Sequence, residues 1–141
     1  MNVQAGKHFP RPTPETQPYW DGCREGRLLL QCCAGCGAHQ FYPRSMCASC
    51  DGETLEWVQA SGRGRIRSFT VVRRPVSKAY AAQTPYIVAL IELAEGPTMM
   101  SNVVDCTPEE AVIGLPVEVV FEQWSDEISV PMFRPRNGPA P

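Results

Sequence analysis

Two pairs of cysteines carry the clearest chemical signal in this sequence. Cys33-Ala-Gly-Cys36 and Cys47-Ala-Ser-Cys50 are both C-x-x-C pairs, with ten residues between them. Each pair can hold one side of a tetrahedral ion, and four thiolates select zinc, or iron in a rubredoxin-like site. We call each C-x-x-C pair, with the turn it forms, a knuckle. The two knuckles lack the prolines of rubredoxin knuckles, and the loop between them is short, which favours zinc over iron. Four protein ligands leave no position for water, so the predicted zinc is structural rather than catalytic.

The remaining cysteines and the two histidines do not complete a second site. Cys32 could compete as a ligand, but it would form a C-x-x-x-C pair that matches the other knuckle less well. Cys23 and Cys106 are remote in sequence and are expected to be small apolar fillers or free thiols. His39 could replace a cysteine in a variant site, but the four-cysteine set is complete without it, so we expect a partly buried histidine that is not a ligand. His8 lies in a polar N-terminal segment. No cysteine is paired with a general base in a way that predicts a nucleophile.

Length and composition limit the class of protein. The chain has 141 residues, a net charge of −2 and a pI near 5.7, which disfavours a globally basic nucleic-acid binder. Fourteen prolines argue against an all-helical fold. No secretory signal is recognised at the N-terminus, so seven cysteines indicate metal rather than disulfides and predict a cytoplasmic protein. No run of about 18 apolar residues occurs, so no membrane span is expected.

The elements that must position the cysteines are short, and most of them are strands. A short helix is predicted near residues 16–26, and a second helical piece near 77–83. Segment 86–93 is almost wholly apolar and is expected to be buried on both faces, and the chain from residue 131 is expected to be irregular. The remaining strands are predicted at 28–30, 40–42, from 55, and at 64–73, 98–104 and 117–122. This pattern favours a small closed barrel over a sandwich, which usually needs about 100 residues.

Several segments along the chain form one combined signature. They are Pro18-Tyr19-Trp20-Asp21-Gly22, Glu25-Gly26-Arg27-Leu28, the two knuckles with Gly37, Tyr42-Pro43-Arg44, the strand-like stretch 62–72, Gly114-Leu115-Pro116-Val117-Glu118-Val119 and Pro131-Met132-Phe133-Arg134-Pro135. Together these segments resemble the DUF35 family of zinc-ribbon and OB-fold proteins associated with acyl-CoA enzymes. The resemblance covers about residues 16–135, and it departs from the family in Cys32 and in a proline-rich N-terminal arm.

The resemblance implies a mainly β protein with an N-terminal helical arm (1–26), a rubredoxin-like zinc ribbon (27–54), a C-terminal OB-fold barrel (55–135) and a tail (136–141). Proteins of this family are usually non-catalytic subunits. We therefore expect an accessory subunit of an acyl-CoA carbon–carbon bond enzyme. The expected partner is a thiolase-fold catalytic subunit first, and a MaoC-like hydratase or aldolase second. One structural Zn²⁺ and a coenzyme A thioester at the interface of the complex are the expected ligands.

Candidate contact residues fall into two groups. Arg63, Arg65 and Arg67 alternate along one strand and can be a solvated face, an interface with an acidic partner or a contact for coenzyme A phosphates. Tyr80 lies in the connection that follows this strand. The second group flanks the proline-rich ends, where large apolar side chains can anchor a partner or simply cap the fold. It consists of Tyr19, Trp20 and Phe133.

A single-stranded nucleic-acid-binding OB-fold module is the alternative function. Phe69 is predicted to share the face of Arg65 and Arg67, and OB-folds bind single strands through stacked aromatics in a basic groove. The net charge of −2 and the presence of only two lysines argue against nucleic acid as a partner. A rubredoxin-like electron carrier is a third class, which a colourless protein would exclude.

Overall fold

The computed structural model of the protein describes residues 7–136. A short helix precedes a three-stranded sheet, and a closed five-stranded barrel follows. The predicted mainly β fold with an N-terminal zinc ribbon is confirmed. The elements are α1 (Gln17–Arg24), β1 (Leu29–Cys33), β2 (His39–Gln40), β3 (Leu55–Gln59), β4 (Arg63–Val72), a 3-10 helix (Lys78–Gln83), β5 (Tyr86–Leu93), β6 (Thr98–Val103), β7 (Pro116–Gln123) and β8 (Ser129–Pro135).

Helix α1 forms where the sequence predicts it. Pro18 occupies its first turn, where the missing N–H removes no helical hydrogen bond. Tyr19 and Cys23 lie four residues apart, so they share one face, and both are buried. That face packs against β1 and against barrel strands β7 and β8. The helix thus links the two sheets through one buried stripe.

The small sheet has the order β2-β1-β3 and is antiparallel throughout. Strand β1 is central, with Gln31 opposite Gln40 on one side and Trp57 on the other. Strand β3 pairs along its whole length with β1, so the first strand after residue 55 belongs to the ribbon sheet by its hydrogen bonds. The division of the chain at residues 54 and 55 stays a prediction.

The barrel has the strand order β4-β5-β6-β8-β7 and closes between β7 and β4. Its pairs are antiparallel except β6 with β8, which run parallel where Val103 meets Phe133. Closure removes the exposed edges of the sheet. Ribbon, helix and barrel share one apolar core, which includes Tyr19, Cys23, Leu28, Leu30, Ile66, Ile87, Ile91, Leu93, Met99, Val117 and Phe133.

Strand β5 is buried on one face only, so the expectation of two buried faces is wrong. Ile87, Ala89 and Ile91 are at most 2% exposed, whereas Leu90 between them is 37% exposed. A small closed barrel has a single interior, and side chains alternate between that interior and the outside. The apolar residues at the other positions of β5 therefore lie on the outer surface of the barrel.

Residues 129–135 form strand β8, so the expectation of an irregular chain from Pro131 is wrong. The N–H of Val104 donates to the carbonyl of Phe133, which shows that the backbone of Phe133 faces β6. Pro131 and Pro135 are each two residues from Phe133, so their backbone nitrogens face the same side as its backbone, away from the long ladder with β7. Their missing N–H groups therefore remove no hydrogen bond from that ladder.

The described part of the N-terminal arm lies on the barrel surface. The ammonium of Lys7 is 3.4 Å from a carboxylate oxygen of Glu122 and 4.8 Å from the ring centroid of Trp124. Phe9 packs against the same tryptophan, with ring centroids 5.7 Å apart. The first six residues of the predicted arm, and residues 137–141 of the predicted tail, lie outside the described residues. Within residues 7–136, no helix combines the length and the hydrophobicity that a membrane span requires.

Candidate metal centre and contact residues

The four knuckle cysteines converge on one point. Their Sγ atoms all lie within 4.8 Å of one another, and the Cys33–Cys50 and Cys36–Cys47 pairs are each 3.6 Å apart. A tetrahedral zinc with bonds of about 2.3 Å needs sulfurs about 3.8 Å apart. The thiols therefore fit a four-thiolate zinc. Cys33 and Cys47 are buried, whereas Cys36 and Cys50 lie on the outside of the cluster.

The two knuckles use the same backbone turn but different residues at its tightest point. The N–H of Gly37 donates to the carbonyl of Cys33, and the N–H of Asp51 donates to that of Cys47. Gly37 has a φ of 77° and Asp51 a φ of 64°, so both are left-handed. Aspartate is one of the few non-glycine residues that adopt this conformation readily. The second knuckle thus turns at Asp51, one residue before the glycine that the sequence offers.

Backbone N–H groups lower the pKa of one of the four clustered thiols. The N–H groups of Cys50 and Ser49 lower the pKa of the Cys47 thiol to about 6. The N–H of Ser49 lies 3.3 Å from the Cys47 sulfur. Because the thiolate and not the thiol binds metal, these two N–H groups favour the ionised form of Cys47 that zinc requires.

Two buried glutamines, which sequence reasoning missed, hold the loop between the knuckles. Gln31 lies on β1 and Gln40 on β2, directly opposite each other and both under 8% exposed. Gln31 accepts from the N–H of Arg44 and donates to the carbonyl of the same residue. Gln40 accepts from the N–H of Ala48, next to Cys47. A glutamine at an inward position of each strand was the only sequence signal for this pair.

The other cysteines and histidines remain outside the metal cluster. The Cys32 sulfur lies 3.7 Å from the carbonyl oxygen of Gly37 and is not among the four clustered sulfurs. Cys23 is 1% exposed, and burial raises the pKa of its thiol to about 12. His8 stacks on Tyr80 with ring centroids 6.5 Å apart. Within residues 7–136, no histidine side chain is hydrogen-bonded to a cysteine or a hydroxyl.

The arginine side chains of β4 are exposed, but Phe69 does not lie on the same face of the strand. Arg65 pairs with Glu92 at 2.6 Å, and Arg67 donates to the hydroxyl of Thr98. A β-bulge interrupts the register between Ile66 and Ser68, so the side chains beyond Arg67 change sides. Phe69 therefore packs against the barrel core. The aromatic and basic strip that favoured a single-stranded nucleic-acid binder does not form.

The large apolar contact candidates are mostly interior. Phe133 is 0% exposed and Tyr19 is 5% exposed, so both contribute to the core and offer little to a partner. Trp20 is partly buried, with its ring centroid 4.9 Å from that of Tyr19. Tyr80 is partly exposed and lies 6.4 Å from Tyr86 between ring centroids. Of these four residues, Trp20 and Tyr80 keep surface that a second molecule could touch.

A groove of about 580 Å³ opens where helix α1, the ribbon and the barrel meet. Trp20 lines it from the helix, Tyr42 from the ribbon, and Val88, Met100 and Pro131 from the barrel. A second groove of about 640 Å³ lies at one end of the barrel beside Arg63, Arg65 and Arg136, and it also contains Glu92 and Glu95. One groove is therefore apolar and the other is mixed in charge.

Comparison with known proteins agrees with this architecture. Residues 20–56 match the family model described as the rubredoxin-like zinc ribbon domain of ChsH2, and residues 57–122 match the C-terminal OB-fold domain of ChsH2. A DUF35 domain-containing scaffold protein of Methanocaldococcus jannaschii is 36% identical over 110 residues, which are 77% of each chain. The chain belongs to the DUF35 family.

Two further similar proteins carry the names of enzymes. The probable enoyl-CoA hydratase alpha subunit of Thermomonospora curvata is 33% identical over 89% of this chain. The chain spans only 40% of that subunit's length. A solved structure titled "Ltp2-ChsH2(DUF35) aldolase" contains a chain that superposes with a TM-score of 0.81 and is 31% identical. The match covers 90% of this chain and 98% of that one.

Proposed function

We propose that this DUF35 protein is a non-catalytic scaffold subunit of an acyl-CoA enzyme. The observation that carries the proposal is the likeness to a whole chain from the Ltp2-ChsH2(DUF35) aldolase, at 31% identity and a TM-score of 0.81. Relatives named as hydratase alpha subunits and as DUF35 scaffold proteins support the same class. The free thiols of the described residues suit a reducing compartment, and we place the protein in the cytoplasm.

The side chains of this protein support a scaffolding role rather than catalysis. Cys33, Cys36, Cys47 and Cys50 are the ligands we assign to one structural zinc, and a four-thiolate zinc has no site for substrate. Cys23 is a neutral, buried thiol. Acyl transfer and carbon–carbon bond cleavage need an activated nucleophile or a positioned base, so the chemistry belongs to the partner.

The partner we propose first is a thiolase-type subunit that makes or breaks a carbon–carbon bond next to a thioester. The related structure is titled an aldolase, and an aldolase makes or breaks a carbon–carbon bond, which supports the choice. A hydratase is the second candidate, because relatives from Thermomonospora curvata and Mycobacterium tuberculosis are named as hydratase alpha subunits. We place the coenzyme A thioester at the interface of this complex, with Arg63, Arg65 and Arg67 as candidates for its phosphates.

Co-expression with the enzyme genes that neighbour this one tests the proposal. The expected result is a hetero-oligomer that turns over acyl-CoA, whereas the zinc-loaded chain alone shows no thiolysis, aldol cleavage or hydration. Product analysis with an enoyl-CoA and with a 3-hydroxyacyl-CoA or 3-oxoacyl-CoA then separates a hydratase complex from a carbon–carbon bond complex. A chain that remains monomeric beside every neighbouring enzyme, or that is active alone, would disprove the proposal.

A further inference from the structure

The outer surface of the barrel carries an apolar patch on strands β5 and β6. Leu90 and Met100 lie directly opposite each other across the two strands and are 37% and 57% exposed. Val88 precedes Leu90 by two residues and therefore lies on the same side of β5. We name Val88, Leu90 and Met100 the outer apolar face. Adjoining exposed apolar side chains indicate contact with another surface, whereas single exposed apolar side chains are ordinary.

The outer apolar face continues into the groove beside helix α1. Val88 and Met100 line the groove of about 580 Å³, and they also line a smaller cleft of about 230 Å³ that reaches Leu90. Tyr42, which is 52% exposed, borders the groove from the ribbon. None of the residues that line these two depressions carries a charge. Absence of charge, together with aromatic and methionine side chains, is the composition of an interface core.

Two arginines lie at the edge of this surface. Arg67 donates to Thr98, which precedes Met100 by two residues on the same side of β6. Arg44 is exposed and follows Pro43, which lines the groove. Neither guanidinium is paired with a carboxylate among residues 7–136. The matching partner surface is therefore apolar at its centre, with carboxylates at its edge.

We infer that the outer apolar face and the adjoining groove are the docking surface for the catalytic subunit, an inference that rests on the proposed function. A second copy of this chain would present the same arginine-edged surface and would bring no carboxylates to meet it. An acyl chain in the groove would cover Met100 but would leave Leu90 in water, because Leu90 lines only the smaller cleft beside the groove. A protein surface can cover the strands and the groove together.

Glutamate substitutions on the outer apolar face and at its edge test the inference in the intact complex. Leu90→Glu and Met100→Glu place a carboxylate on the face, and Arg67→Glu reverses the charge of its edge. Each variant is expected to raise the Kd for the catalytic subunit by about tenfold or more, with zinc content and far-UV circular dichroism unchanged. Val76→Glu and Ile113→Glu are matched controls, because these apolar residues are 80% and 72% exposed and line neither depression. The controls should bind like the wild type.

The outcomes separate this inference from the proposed function. Wild-type binding that persists in Leu90→Glu, Met100→Glu and Arg67→Glu overturns the docking surface and leaves the scaffold role intact. A wild-type chain that binds no catalytic subunit overturns both. Wild-type self-association that Met100→Glu abolishes assigns the face to a second copy. Binding of decanoyl-CoA to the isolated chain that Met100→Glu abolishes, with subunit binding unchanged, assigns it to an acyl group. Either of the last two results overturns the inference.

Discussion

The side-chain amide of Gln40 donates to the side-chain oxygen of Gln31 over 2.7 Å, inside the ribbon and away from solvent. Both glutamines also bond to the backbone of the loop that leads to the second knuckle, at Arg44, Met46 and Ala48. That loop contains no helix or strand of its own. The amide pair therefore supplies the side-chain hydrogen bonds that position Cys47 and Cys50 relative to Cys33 and Cys36.

Gln40→Leu should loosen the second knuckle without changing any sulfur. The substitution leaves the N–H of Ala48 and the side-chain oxygen of Gln31 with one bond fewer, at an expected cost of about 1–3 kcal/mol of unfolding free energy. Urea unfolding and the rate of zinc loss to a chelator measure the effect. Gln59→Leu is the control, because Gln59 is exposed on β3. Equal chelation rates for the two variants would contradict the role of the pair.

Cys47→Ser should lower the zinc content well below the wild-type value of about one per chain and loosen the ribbon. Metal binding and folding of the ribbon are one event, because the unfolded chain does not hold the four cysteines together as a preformed site. Cys32→Ser should keep its zinc, since the Cys32 sulfur lies outside the cluster. Elemental analysis of both purified variants provides the measurement. Zinc loss in Cys32→Ser would show that the ligand assignment is wrong.

The knuckles and helix α1 could be predicted because each follows from local spacing, and the closed barrel because the strands are several and short. The side of β4 on which Phe69 lies could not be predicted, since a single bulged residue reverses the side of every later side chain in a strand. Strand β8 could not be predicted because it contains Pro131 and Pro135. A strand accommodates proline only where the proline nitrogen faces away from a hydrogen-bonded neighbour, and the sequence does not show that direction. The Gln31–Gln40 pair depends on the register of β1 and β2, which no local pattern encodes.

Gly64→Ala should destabilise the barrel. A Cβ at this position would lie 2.6 Å from the carbonyl oxygen of Glu92 and 2.9 Å from a methyl carbon of Ile91. The backbone oxygen cannot retreat without breaking the β4–β5 ladder, so we expect a loss of about 1–3 kcal/mol. Thermal unfolding checks this, with Ser68→Ala as the control because Ser68 is an exposed residue on the same strand. Equal melting temperatures would show that the strands can separate at little cost.

Cys23 should resist alkylation in the folded, zinc-loaded protein. Burial raises the pKa of its thiol to about 12, so the reactive thiolate is scarce at neutral pH, and its sulfur is out of reach. Between about pH 8.5 and 12 the unfolded chain releases this proton and the folded chain keeps it, so this thiol makes stability fall as pH rises through that window. Mass mapping after brief iodoacetamide treatment should find Cys32 labelled well before Cys23. Rapid labelling of Cys23 would mean that helix α1 opens readily.

The pairing of β3 with β1 has a consequence for recombining these modules between relatives. The two matched family domains meet between residues 56 and 57, in the middle of β3 (Leu55–Gln59). A chimera joined there would take half of a ribbon strand from each parent, and its two halves would have to satisfy the same β1 ladder. With a crossover at Ser61, between β3 and β4, each sheet comes whole from one parent. Ribbon exchange among DUF35 proteins should therefore be designed at the linker rather than at the domain border.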